Sequence, residues 1–116
     1  MNILIVKLSA IGDVIHALPV AYVLKKRYPS AHITWVVEPT AYELVKHNPY
    51  VDEIIIFHKK AFKSWNGFKE NYQPFAKLLQ KRKYDISIDL QGLFKSAAVV
   101  FTAKAKRKIG YVDMRE

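Results

Sequence analysis

Short apolar runs recur at residues 3–8, 33–37 and 54–57, each rich in β-branched side chains, while a fourth at residues 86–90 alternates more with polar positions. Continuous runs of this length fit strands buried on both faces, as in a parallel sheet. The stretches between them carry helical spacing. Val14, Leu18, Ala21 and Leu24 fall near one helical face, and Lys25, Lys26 and Arg27 supply the basic end that suits a helix C-terminus before Tyr28 and Pro29 stop it. Pro19 inside this stretch predicts a kink or a restart. Phe75, Leu78, Leu79 and Arg82 form a second stripe, with Pro74 in the first turn. Residues 40–47 read as a short helix capped by Thr40, residues 92–104 as another helix with Leu93, Ala97 and Val100 on one side, and residues 108–111 as a last strand. Residues 59–67, which include Lys59, Lys60, Lys63, Trp65 and Gly67, read as the least regular part. Strand–helix alternation at this spacing predicts right-handed βαβ units. The expected class is α/β, a Rossmann-like parallel sheet with flanking helices.

Composition narrows the partners more than the fold. The 116 residues suit one domain, and 51% hydrophobic with 25% charged residues is the balance of a globular chain. The formal net charge of +9 favours anionic partners: nucleic acid, phosphorylated lipid or a nucleotide-linked substrate. No cysteine is present, which excludes disulfides, thiol catalysis and thiolate metal sites. The N-terminus lacks the basic segment and apolar length of a signal peptide, and no apolar run nears the roughly 20 residues that span a bilayer. A soluble or peripheral protein is expected. His32, His47 and His58 show no metal-ligand spacing, so no metal site is expected. The basic residues are dispersed and match no nucleic-acid-binding motif, so nucleic acid is not the expected partner.

Ligands of open α/β sheets bind at the carboxyl ends of the strands. Ser9, Ala10, Ile11, Gly12 and Asp13 follow the first strand and occupy that position. Gly12 supplies backbone freedom there, and Asp13 opens the helix. Two readings of Asp13 stand side by side: an N-cap whose carboxylate meets free N–H groups, or a general base facing a ligand. The loop has a single glycine, short of a dinucleotide fingerprint, and no Walker A sequence occurs, so nucleotide binding by this part is disfavoured. Gln91, Gly92, Lys95 and Ser96 mark the carboxyl end of the fourth strand, where Gly92 opens a helix whose N–H groups suit an anion.

The run at residues 5–19, Ile-Val-Lys-Leu-Ser-Ala-Ile-Gly-Asp-Val-Ile-His-Ala-Leu-Pro, resembles the opening motif of the heptosyltransferases, family 9 of the glycosyltransferases. Residues 35–38, Trp-Val-Val-Glu, resemble that family's second strand, especially in its heptosyltransferase I branch. Residues 89–96, Asp-Leu-Gln-Gly-Leu-Phe-Lys-Ser, resemble its Asp-x-Gln-Gly-Leu-x-Lys-Ser segment, and Gly110 and Tyr111 with Arg115 and Glu116 form a fourth landmark. All stand in family order across the whole chain.

The resemblance implies a GT-B fold in which residues 1–116 are the N-terminal, acceptor-binding domain and a C-terminal donor-binding domain lies outside the chain. The ending just after a strand reads as a fragment, inactive by itself. The implied reaction is inverting transfer of heptose from ADP-heptose to a Kdo-lipid A acceptor in lipopolysaccharide core synthesis. It needs no cofactor beyond the donor substrate, and Asp13 is the base. Lys59, Lys60, Lys63 and Arg115 match basic residues that meet the acceptor's phosphates and acidic sugars, although a solvated loop is the plainer reading of the lysines. Gln91 and Gly92 fall on the acceptor side as well. Lys95 either reaches the acceptor or pairs with Asp89. Ser9, Gly12 and His16 line the cleft loop, with packing the alternative for His16. Phe62 departs from the family by standing where a further basic residue is expected. An acceptor anchored in the inner membrane implies a cytoplasmic protein held peripherally on the anionic inner face of that membrane. Lys104, Lys106, Arg107 and Lys108 are among the residues suited to meet its headgroups. The rival description is a stand-alone α/β module that binds anionic sugars.

Overall fold

The computed structural model describes residues 1–92 and 94–110. Its regular elements are β1 (Asn2–Val6), α1 (Ile11–Arg27), β2 (His32–Val37), α2 (Tyr42–Lys46), β3 (Glu53–Ile56), α3 (Trp65–Leu79), β4 (Ile86–Asp89), α4 (Phe94–Ala103) and β5 (Arg107–Gly110). The strands pair in parallel in a single five-stranded sheet of order β3-β2-β1-β4-β5. The expected Rossmann-like α/β sheet with flanking helices is therefore what the chain builds.

Period-two alternation along buried strands explains the continuous apolar runs. From β1, Ile3 and Ile5 enter one core layer with Val14, Ala17 and Ala21 of α1 and Val45 of α2. Leu4 and Val6 enter the opposite layer with Leu79 of α3 and Val99 of α4. A side chain that would be exposed on a one-sided sheet is covered here by a helix on either face. Full burial of each such aliphatic residue contributes about 1.5–3 kcal/mol, so β1, fully buried from Ile3 to Val6, anchors both layers.

Several local expectations change. α1 runs as one helix through Pro19, because the carbonyl of Ile15, which loses its i+4 donor, belongs to an exposed residue that water reaches. Its N-cap is Ala10, not Asp13, which sits in the helix's first turn. Thr40 lies inside a 3-10 turn (Pro39–Ala41), and Ala41 precedes α2. Pro74 stands in the interior of α3, which starts at Trp65 where the Ser64 hydroxyl accepts the N–H of Gly67 at 2.9 Å. The Lys59 region is a 3-10 turn (Lys59–Phe62) packed on the start of that helix, not irregular chain. β5 ends at Gly110, and the expected end at Tyr111 lies outside the described residues.

The chain moves outward from β1 to β2 and β3, then returns to lay β4 on the other side of β1. The point of reversal is the crevice between the carboxyl ends of β1 and β4, where helices on either side diverge and leave room for a ligand. In register, Val6 lies opposite Val36 on one side and Asp89 on the other. Ser9, Gly12 and Asp13 follow β1, and Gln91 and Gly92 follow β4.

Candidate functional site

Beyond β1 the backbone is held from both sides. The side-chain oxygen of Gln91 accepts the N–H groups of Leu8 at 3.0 Å and Ser9 at 3.2 Å, while the carbonyl of Leu8 accepts the N–H of Glu38. The carbonyl of Lys7 accepts the indole N–H of buried Trp35 at 3.1 Å. Asp89 organises the β4 side. One of its oxygens accepts the N–H groups of Gln91 and Gly92 at 2.9 and 3.1 Å, and the other accepts the hydroxyl of buried Ser96 at 3.1 Å. Gly92 adopts φ 70°, a left-handed conformation that a Cβ makes costly. A Cβ on Gly110 would fall 2.9 Å from that of Asp89, so the β5 backbone lies directly against the backbone and Cβ of Asp89.

The expected site residues divide accordingly. Gln91 is buried and spends its carbonyl oxygen on the β1 loop, while its amide N–H groups have no partner among the described residues. The N–H of Gly92 meets the chain's own anion, Asp89. Lys95 neither pairs with Asp89 nor stands free. Its ammonium lies 2.7 Å from the Glu38 carboxylate, with both side chains largely buried, because α4 packs on β1 and β4 and its first turn brings Lys95 to the residue that follows β2. Ser9 is half-buried, with its backbone held by Gln91.

Asp13 is exposed on the first turn of α1 and accepts no hydrogen bond or ion pair among the described residues. It does not cap the helix, since Ala10 has no side chain that caps and the first helical bond runs from Val14 N–H to the Ala10 carbonyl. Gly12 has helical backbone angles, not the special freedom expected of it, and a Cβ there would meet nothing within 4 Å. His16, one turn on, is also exposed and has no partner among the described residues. A carboxylate, a bare glycine and an imidazole thus face open space at the switch point.

Lys59 and Lys60 project from the 3-10 turn after β3 and Lys63 follows it, all exposed and without a side-chain partner among the described residues. Phe62 in their midst stacks on Phe57 at 5.3 Å and meets Phe75 edge-on at 5.9 Å. A basic residue would fit that packed position poorly, which accounts for the departure at Phe62. Arg115 lies outside the described residues.

Charge is divided between the two edges of the sheet. At the amino edge, Asp52 pairs with Lys25 at 2.8 Å, and Glu53 with Arg82 and Lys81 at 2.9 Å each. Burial pushes the Asp52 carboxyl upward, but the Lys25 and Ile33 hydrogen bonds outweigh it and hold the group below its ordinary value. Burial acts the same way on Glu53 and is outweighed by Arg82 and Lys81. At the carboxyl edge, Asp13 and the three lysines at 59, 60 and 63 carry no such partners among the described residues. Paired charges support the fold, and unpaired ones are available to a ligand. No group of His, Asp and Glu residues among those described is arranged to hold a metal ion.

Two residues escaped the sequence reading. Lys7 is only 8% exposed and donates from its ammonium to the Leu90 carbonyl at 3.1 Å, bridging the ends of β1 and β4. A lysine inside an otherwise buried apolar run was the available signal. Glu38 gave no local signal of its pairing, because Lys95 lies 57 positions away.

Comparison with known proteins finds heptosyltransferases. The family model described as glycosyltransferase family 9 (heptosyltransferase) matches residues 73–116. A lipopolysaccharide heptosyltransferase 1 from Escherichia coli is 36% identical over 103 residues, covering 86% of this chain and 32% of that protein. The lipopolysaccharide core heptosyltransferase OpsX of Haemophilus influenzae is 32% identical over 114 residues, covering 98% of this chain and 31% of that protein. Among solved structures, E. coli heptosyltransferase WaaC with ADP-2-deoxy-2-fluoro heptose superposes with a TM-score of 0.85 at 34% identity, over 100% of this chain and 38% of that one. A family 9 glycosyl transferase from Veillonella parvula gives 0.79 at 28% identity, covering 95% of this chain and 32% of that one. The chain thus spans about a third of the length of the curated relatives it matches.

Proposed function

The chain belongs to glycosyltransferase family 9, and from that premise we propose that it forms the acceptor-side, N-terminal domain of an inverting enzyme that moves heptose from ADP-heptose to a Kdo-lipid A acceptor. The observation that carries this reading is Asp13, a carboxylate without a partner among the described residues, presented by the first turn of α1 at the switch-point crevice. In the proposed step Asp13 takes the proton of an acceptor hydroxyl, the oxygen attacks the anomeric carbon from the face opposite the leaving group, and ADP departs. The chain's part is to hold that hydroxyl and its base together. A second, donor-binding domain supplies the sugar nucleotide.

Lys59, Lys60 and Lys63 then serve the acceptor's phosphates as point charges, a contact that demands little geometry of lysine. Gln91 offers its unpaired amide N–H groups and otherwise positions the loop that carries Asp13. Lys95 and Gly92 act on that loop's framework through Glu38 and Asp89. An acceptor anchored in a bilayer places the enzyme peripherally on the cytoplasmic face of the inner membrane; no helix among the described residues is long and apolar enough to cross one.

The test is heptose transfer by the full-length gene product. Asp13→Asn is expected to lower kcat by about 10²–10⁴ while acceptor binding changes little, as for loss of a general base. Turnover equal to wild type would remove Asp13 from the mechanism.

A further inference from the structure

α3 carries an apolar stripe that outruns the sheet beneath it. Its C-terminal part is buried through Ala76 and Leu79, but the same stripe continues toward the N-terminus as Tyr72, Phe68 and Trp65, which are 39%, 39% and 72% exposed. The rings stack in series. Phe68 lies 5.3 Å from Tyr72 and 6.1 Å from Trp65, with near-parallel planes in both pairs. Phe62 of the lysine turn meets Phe68 edge-on at 6.0 Å, and a Cβ on Gly67 would fall 2.4 Å from the Ala61 carbonyl oxygen, so turn and helix form one continuous surface. Exposed Lys59, Lys60, Lys63 and Lys69 border it without acidic partners among the described residues.

We propose that this stripe, Trp65, Phe68 and Tyr72 with its flanking lysines, is a docking surface for an anionic phospholipid bilayer. Charge complementarity selects the occupant. A ladder of aromatics edged by unpaired lysines matches the boundary between acyl chains and anionic headgroups, where rings enter and ammonium groups remain in the polar layer. Its place at the carboxyl edge turns the Asp13 side of the sheet toward the same surface, although the inference depends on the patch alone and not on the transfer reading. The basic residues Lys104, Lys106 and Arg107 lie at the opposite, amino edge and do not belong to this surface.

The experiment is co-sedimentation of the full-length gene product with vesicles of phosphatidylcholine, alone or mixed with phosphatidylglycerol, in the absence of any sugar acceptor. Wild type is expected to bind the mixed vesicles and leave the neutral ones. The double variant Trp65→Ser/Phe68→Ser should lose about tenfold or more in partition. Phe101→Ser, which removes an exposed aromatic elsewhere, should bind as wild type does. A blue shift in emission on vesicle addition that disappears in Trp65→Phe, with binding retained, would locate Trp65 in the interface. Equal binding by wild type and the double variant overturns the proposal. So does a stripe-dependent dimer that binds no vesicles, or a stripe covered by another part of the gene product. Loss of transfer in Asp13→Asn with vesicle binding intact separates this surface from the catalytic reading.

Discussion

Replacing Gln91 by Ala separates a framework role from a ligand role. The side-chain oxygen accepts two backbone N–H groups, those of Leu8 and Ser9. Leu8 is fully buried, so its N–H has no water to turn to when the oxygen is removed, a loss of about 1–3 kcal/mol. Ser9 is half-buried and partly rehydrated, adding about 0.5 kcal/mol. The sum is roughly 2 kcal/mol, which for a domain of this size lowers Tm by about 6–12 °C. Gln91→Glu keeps an acceptor oxygen in place and should recover most of that loss. Differential scanning calorimetry measures the stability term, and the kcat and KM of the full-length gene product measure the functional one. A slack loop misplaces Asp13, so kcat should fall along with Tm. An unchanged Tm with a raised KM would show that Gln91 serves the acceptor alone and refute the framework argument.

Lys95→Met leaves the Glu38 carboxylate, largely buried, without its ammonium, and is expected to cost about 1–3 kcal/mol. Adding Glu38→Gln should restore most of it, and additive single effects in a double-mutant cycle would show the pair to be uncoupled. Gly92→Ala forces a Cβ onto φ 70° and should cost about 1–2 kcal/mol in urea unfolding; no shift in midpoint would mean the loop relaxes freely. Asp52 and Glu53 both titrate below their ordinary values of 3.8 and 4.5 in the folded chain. Their contribution is therefore present above those values and fades as pH falls through the lowered ones. Acid unfolding should steepen below about pH 4, and Arg82→Met should flatten that slope; an unaltered slope would exclude the Glu53 pairs as its source.

Much of this was legible one segment at a time. Apolar runs disclosed the strands because a strand covered on both faces has no position that water tolerates as polar. Exceptions are Thr34 and Ser87, buried hydroxyl residues within β2 and β4, and Lys7, whose ammonium finds a carbonyl across the crevice. The basic end of α1 was readable for a similar reason, since Lys25, Lys26 and Arg27 favour the helix terminus on which they sit. The start of α3 was missed because Lys59, Lys60 and Lys63 suggested loop. What starts that helix is a single serine hydroxyl at its N-cap, together with packing of Phe62 on Phe57 and Phe75.

Asp13 shows where the boundary lies. Residue order alone determined that a carboxylate follows the first strand within a heptosyltransferase-like motif, because strand period, glycine and acid all act over a few neighbouring residues. That a switch point lies at the end of the same strand depended on the return of β4 to the side of β1. The same return decided that Lys95 is taken up by Glu38 and that Gln91 grips the β1 loop. These are contacts between residues far apart in the chain. Their energies depend on distance and burial, which exist only once the sheet has closed.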